Sequence, residues 1–182
     1  DSVIELSGTS VVSFFAPATW ASENAQDLDL GTTGPVILPT GPVFVAGKNG
    51  NAYLMKQGAL GGLGGKVPSI AVCTAFGGAA YSNGTIYVPC TNGVRAVRIS
   101  ATAMTPSWHA SPSGSPIVGG GVVLTVAASS GTLFALDPAS GATKAQVALG
   151  DSTTRFATPA LAADGFAYVG TEHGKLVIIA TS

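Results

Sequence analysis

Residues 116–141 read Pro116-Ile-Val-Gly-Gly-Gly-Val-Val-Leu-Thr-Val-Ala-Ala-Ser-Ser-Gly131-Thr-Leu-Phe-Ala-Leu-Asp-Pro-Ala-Ser-Gly141. Three apolar runs, 117–118, 122–126 and 132–136, are separated here by Gly119-Gly120 and Ser130-Gly131, and Asp137 to Gly141 turns the chain into a fourth run at 143–149. Runs this short, rich in Val and Leu and bounded by glycine turns, read as strands, and the tight links make neighbouring strands antiparallel. The stretch is therefore a four-stranded meander.

The same grammar recurs on both sides. Asn49-Gly50, Asn92-Gly93, Ser130-Gly131 and His173-Gly174 each precede an apolar segment, at spacings of 43, 38 and 43 residues. Fifteen residues before each of these glycines stands Pro35, Gly78, Pro116 or Pro159, so two independent anchors keep one offset through four units. The first strands are expected at 36–38, 79–81, 117–118 and 160–162, and the second at 43–46, 85–88, 122–126 and 166–169. The third are expected at 51–55, 94–99, 132–136 and 175–179. A fourth strand is clear at 143–149, present at 106–110 around Trp108, and weak at the glycine-rich 58–65. Four strands per repeat of about 40 to 45 residues is the pattern of a β-propeller blade.

The fold is thus expected to be all-β, a propeller of four-stranded antiparallel blades, with 1–15 as the outer strands of a preceding blade. Full blades follow at 33–65, 76–110 and 114–149, and 157–180 supplies three strands of a last blade. About four blades make half of an eight-bladed ring. Such an arc bares apolar blade faces at both ends, which something must cover. Three sources stay open: the remainder of a longer parent chain, a second copy of this chain, or residues 11–15 closing a four-bladed ring. Asp1 in place of an initiator Met reads as a processed or excised piece.

Composition narrows the function classes. Charged residues are 9% of the chain against a typical share of about 25%, and the net charge is −1 without a basic run, which argues against nucleic acid and anionic membranes. No apolar run approaches the roughly 18 residues of a spanning helix, so a soluble domain without a membrane span is expected. Cys73 and Cys90 fit no zinc spacing with His109 and His173. Pairing of strands across Asn83-Gly84 brings the two cysteines near each other, and a disulfide in an oxidising compartment is the expectation. Two separately buried thiols are the alternative.

Gly131-Thr-Leu-Phe-Ala-Leu-Asp-Pro-Ala-Ser-Gly141 resembles the blades of PQQ-like propellers, the superfamily of quinoprotein alcohol dehydrogenases and their cofactor-free relatives. Its Ala135-x-Asp137-x-x-x-Gly141 core is similar to the start of that family's tryptophan-docking motif. Ala142 and Ala145 stand where the family has Lys and Trp, leaving Trp108 as the one residue able to play that part. Phe15-Ala-Pro-x-x-Trp20 and Asp27-Leu-Asp29-Leu-Gly31-Thr-Thr-Gly-Pro35 resemble exported bacterial PQQ-binding-like repeat proteins. The resemblance implies an extracellular or cell-envelope protein. In the enzymatic members it also implies calcium, an aspartate base, and PQQ held between a tryptophan and a vicinal cysteine pair. Cys73 and Cys90 are not adjacent, so that lid cannot form.

Candidate site residues are few. Five of nine carboxylates lie within the first 29 residues, before any Lys or Arg. Glu23, Asp27 and Asp29 sit with Trp20 in the long connection to Pro35, a place where loops tend to carry function, and oxygen ligands at that density suit a hard cation. Solvated loop charges and Asx turns are the plainer alternative. Glu172 and His173 occupy a second-to-third-strand turn able to line a ligand-facing rim. His109 is expected at an outer blade edge, Arg95 and Arg98 facing solvent or a groove, and Asn83-Gly84-Thr85 as a hairpin turn rather than a used sequon. No nucleophile–base pair is visible and no catalytic residue is assigned. The favoured expectation is an exported, non-catalytic binding module without a cofactor. The rival is a fragment of a calcium- and PQQ-dependent dehydrogenase, with Asp27 or Asp29 as ligand or base and Trp20 as an aromatic wall.

Overall fold

Apolar residues alternate sides along the second strand of each repeat, and this alternation organises the molecule. In the computed structural model, which describes residues 1–180, Val43 and Val45 pack toward the preceding sheet while Phe44 and Ala46 pack toward the following one. Tyr87 and its neighbours Ile86 and Val88 divide in the same way. A strand buried on both faces must be apolar at every position, which explains the continuous runs in place of an apolar–polar alternation.

The opening sheet contains β1 (Val3–Ser7) and β2 (Ser10–Ala16). A connection carrying the short helix α1 (Trp20–Ala25) and a 3-10 turn at Leu30–Thr32 leads to β3 (Val36–Ile37), β4 (Pro42–Ala46) and β5 (Asn51–Lys56). After β6 (Gly62–Leu63), β7 (Ser69–Ala71) completes the first full blade, order β3-β4-β5-β7. The second blade is β8 (Ala80–Ser82), β9 (Thr85–Cys90), β10 (Gly93–Ile99) and β11 (Met104–Ala110). The third is β12 (Ile117–Gly119), β13 (Val122–Ala127), β14 (Thr132–Leu136) and β15 (Thr143–Ala148). The last sheet has β16 (Ala160–Leu161), β17 (Phe166–Gly170) and β18 (Leu176–Ala180). Pairing within each blade is antiparallel and follows chain order, with β6 passed over in the first blade, so the fold is a partial β-propeller of about four blades.

Four buried clusters lie between the five successive sheets, one per boundary. At the boundary of the second and third blades Trp108 is buried, its Nε1–H donates to the Pro138 carbonyl at 2.9 Å, and its ring centroid lies 5.6 Å from that of Tyr87. The indole rests on Gly141, where a Cβ would fall 2.5 Å from a ring carbon. Trp108 thus docks on the turn that joins the third and fourth strands of the next blade.

Two expectations need correction. Residues 58–65 are not the fourth strand of the first blade; β7 at Ser69–Ala71 takes that place by pairing with β5. The glycine-rich stretch instead folds under the opening sheet, with β6 parallel to β2 at Phe15↔Gly62 and Ala16↔Leu63. The absence of side chains makes this approach possible, since a Cβ on Gly61 would press against Val67 and come within 3.5 Å of Phe15. Residues 11–15 do not close a four-bladed ring either: β2 pairs with β1 and β6, and the last sheet is β16-β17-β18. Both end sheets bare apolar side chains, among them Leu6 at 59% and Leu176 at 64% exposure. Among the described residues, no helix is long and apolar enough to cross a membrane.

Candidate functional site

In an antiparallel four-stranded meander, the second-to-third-strand turns and the crossovers to the next blade emerge at the same end of every sheet. That end is the loop face. It gathers turns 47–50, 91–92, 128–131 and 171–175 with crossovers 17–35, 72–79, 111–116 and 149–159. All the candidate residues of the sequence lie there, in two separate clusters.

The first cluster surrounds Lys48. Its Nζ lies 2.9 Å from Asp27 Oδ1 and 2.9 Å from Asp29 Oδ2. The two carboxylates hold the ammonium above the usual lysine range, and Lys48 in turn holds Asp29 below the usual carboxylate range. Asp27 reaches this position with φ 56, in the left-handed region that Asp tolerates better than most residues. Glu23 points elsewhere and is buried at 7% exposure. Its Oε1 accepts from Thr19 Oγ1 at 2.6 Å and from Asn49 Nδ2 at 3.0 Å, while Oε2 has no partner among the described residues. Trp20, at the start of α1, is exposed. The three carboxylates do not converge on one point, and the room a cation would take between Asp27 and Asp29 is filled by the Lys48 ammonium. A calcium ion does not fit that donor set as it stands.

The second cluster centres on Asp151, which the sequence reading did not single out. Its carboxylate accepts from His173 Nδ1 at 2.6 Å, from Thr171 Oγ1 at 2.8 Å and from the Ser152 backbone N–H at 2.9 Å, with Lys175 Nζ 3.8 Å away. Hydrogen bonding to His173 and then Thr171 lowers its pKa to about 2. The Asp151 side chain is 7% exposed, whereas His173 stands out into solvent. An aspartate behind an exposed imidazole is half of a general-base arrangement. The nearby hydroxyls do not supply the other half: Ser152 Oγ donates to Glu172 Oε2 at 2.6 Å and Thr171 Oγ1 donates to Asp151. Glu172 and His173 therefore share one turn but serve different partners.

The two clusters share a plan that explains how Asp151 escapes a sequence reading. In each, the crossover before a sheet supplies an aspartate to the second-to-third-strand turn of that same sheet, Asp29 to Lys48 and Asp151 to His173. The signal in the sequence was an aspartate in the crossover paired with a basic turn some 20 residues later, visible only once crossover and turn are known to share one face.

Between the clusters, Cys73 and Cys90 form a disulfide with Cα atoms 5.7 Å apart. It ties crossover 72–79 to the end of β9, where Phe76 N donates to the Pro89 carbonyl at 3.0 Å. Elsewhere, His109 is exposed with Nε2 3.1 Å from the Asn92 carbonyl, and Arg95 is half-buried with no partner for Nε among the described residues. Asn83, at φ 46, and Gly84 form the β8–β9 hairpin turn.

No protein-family model and no curated protein sequence matches the chain. Solved structures do match. BamB from Moraxella catarrhalis is 16% identical with a TM-score of 0.63, over 82% of this chain and 50% of that one. The computationally designed Ika4 protein is 10% identical with a TM-score of 0.61, over 99% of this chain and 96% of that one. AztD from Citrobacter koseri is 21% identical with a TM-score of 0.53, over 82% of this chain and 44% of that one, in its apo form. At these identities the likeness is one of fold, that of a propeller. The chain spans about half the length of BamB and AztD, and nearly the whole of Ika4.

Proposed function

We propose that the chain is part of an exported PQQ-like propeller that binds its ligand on the loop face without performing covalent chemistry there. The observation that carries this reading is the commitment of the reactive groups. The hydroxyls of Ser152 and Thr171 donate to carboxylates, both cysteines are joined, and the acidic residues of the first crossover are engaged by Lys48, Thr19 and Asn49. A face with fixed polar groups and, among the described residues, no nucleophile hydrogen-bonded to a base suits recognition. The disulfide supports an oxidising compartment. The exposed apolar residues of both end sheets, with matches covering about half of BamB and AztD, support a larger ring, of eight blades, completed by more of a parent chain or by a second copy.

Titration of the 182-residue chain with PQQ in the presence and absence of calcium, followed by absorbance, tests the functional class. No binding is expected. Calcium-dependent binding that disappears in Asp29→Ala transfers the protein to the quinoprotein dehydrogenases instead. Light scattering tests the ring: self-association is expected, and a stable monodisperse monomer contradicts an arc that requires cover.

A further inference from the structure

We propose that the loop-face cavity lined by Phe76 and Phe156 binds a small monocarboxylate with a ring-sized apolar body. The inference rests on the reading of the loop face as the binding face and names the ligand class. The cavity, of about 580 Å³, is formed where crossovers 72–79, 111–116 and 149–159 meet turns 128–131 and 171–175. Its walls include Phe76 and Phe156, whose centroids lie 6.5 Å apart in an edge-to-face arrangement. An apolar ring finds two aromatic partners there.

Arg155 supplies the charge. Its guanidinium carbon lies 5.2 Å from the Phe76 centroid, and it pairs with no carboxylate among the described residues. A guanidinium beside an aromatic ring and without a carboxylate partner is the group that receives a carboxylate through two parallel hydrogen bonds. Arg155 is thus a cation of this cavity that no carboxylate among the described residues neutralises, while Glu172, held by a hydroxyl, is its one carboxylate among the described lining residues.

Thr153 lines the same cavity at 3% exposure, its Oγ1 closed off from the open space and unpartnered among the described residues. Glu172 lines the same cavity with its carboxylate held by Ser152. Its charge repels a second negative group and restricts the ligand to a monoanion. The frame is fixed in advance: Gly77 N donates to the Thr32 carbonyl at 2.9 Å, Phe76 N to Pro89, and the disulfide anchors the same crossover. Preorganisation of this kind reduces the ordering cost of binding.

The test is amide-resolved NMR titration of the 182-residue chain with 3-phenylpropionate, the neutral 3-phenylpropanol and inorganic phosphate. The acid is expected to bind with a Kd of about 1 mM or tighter, shifting amides at 152–156 and 76–77, with the alcohol at least about tenfold weaker. Arg155→Gln is expected to weaken the acid by about tenfold or more, Phe156→Ala to weaken both compounds, and phosphate not to compete. Both side chains are exposed, and the unliganded spectrum checks that each variant folds. Equal binding of acid and alcohol, or an unchanged Kd in Arg155→Gln, overturns the proposal. Shifts confined to crossover 17–35 overturn it while sparing the loop-face reading. Shifts confined to turn 137–142 on the opposite face overturn both.

Discussion

The boundary between the second and third blades is sealed by an aromatic ring, whereas the boundary between the third blade and the last sheet is left open and clasped by polar groups. At the former, Trp108 fills the seam and donates to Pro138 on the Asp137–Gly141 turn. At the latter, Ala145 and Gln146 stand on the fourth strand, and a cleft of about 630 Å³ runs between Leu124, Leu133 and Val147 on one side and Leu161, Ala167 and Ile179 on the other. Asp151 crosses that boundary on the loop face to reach Thr171 and His173. A seam of the first kind needs two matched parts, a large ring on one blade and a bare glycine turn on the next. Where either part is missing, the sheets still stack through their second strands, but the outer part of the seam stays unfilled.

Breaking the aromatic seal should have the largest effect. Trp108→Ala removes a buried indole and its hydrogen bond, and a loss of about 3–5 kcal/mol is expected in urea unfolding. Gly141→Ala attacks the other half of the same seam, since its φ of 73 and the nearby indole both oppose a Cβ. A loss of about 1–3 kcal/mol is expected, shrinking markedly in the Trp108→Ala background because the clash goes with the ring. Additive losses would show that the two residues do not form one lock.

The boundary of the first and second blades uses a third device, the Cys73–Cys90 bridge. Its removal by Cys73→Ala/Cys90→Ala should cost about 3 kcal/mol, the loop-closure value for a separation of 17 residues. Mass spectrometry of unreduced peptides should recover the two cysteines linked. At the open seam, Leu133→Ala should cost about 2 kcal/mol, the lower end for a buried leucine, because a wall beside an existing cleft has fewer contacts to lose. A cost equal to that of Trp108→Ala would erase the contrast between the seams.

The polar clasp should be sensitive to acid. The Asp151 pKa is depressed to about 2 from 3.8, so the carboxylate is more readily ionised in the folded chain. Its contribution is present in full above about pH 4 and is lost as pH falls through about 2. Acid unfolding of the wild type should therefore steepen between those values, and Asp151→Asn should flatten that part of the profile. This is the smallest expected effect, and the sharpest on the identity of the clasp.

Much of this architecture was legible because it is local. A hairpin turn needs a residue that tolerates positive φ at one place, so Asn83-Gly84 and Ser130-Gly131 mark strand ends in any context, and strands buried on both faces must read as unbroken apolar runs. The repeat, the meander and the proximity of Cys73 to Cys90 follow from such constraints. What only the tertiary structure decided depends on which segments meet across blades. Residues 58–65 left the first blade because glycines let the backbone lie against Phe15 and Ala16, a contact some 47 residues away that no strand propensity encodes. Asp151 found His173, and Phe76 found Arg155 and Phe156, because stacking of successive sheets brings separate crossovers to one face. The spacing of these residues is set by loop lengths that vary freely between repeats, so periodicity locates the strands but not the side chains that gather above them.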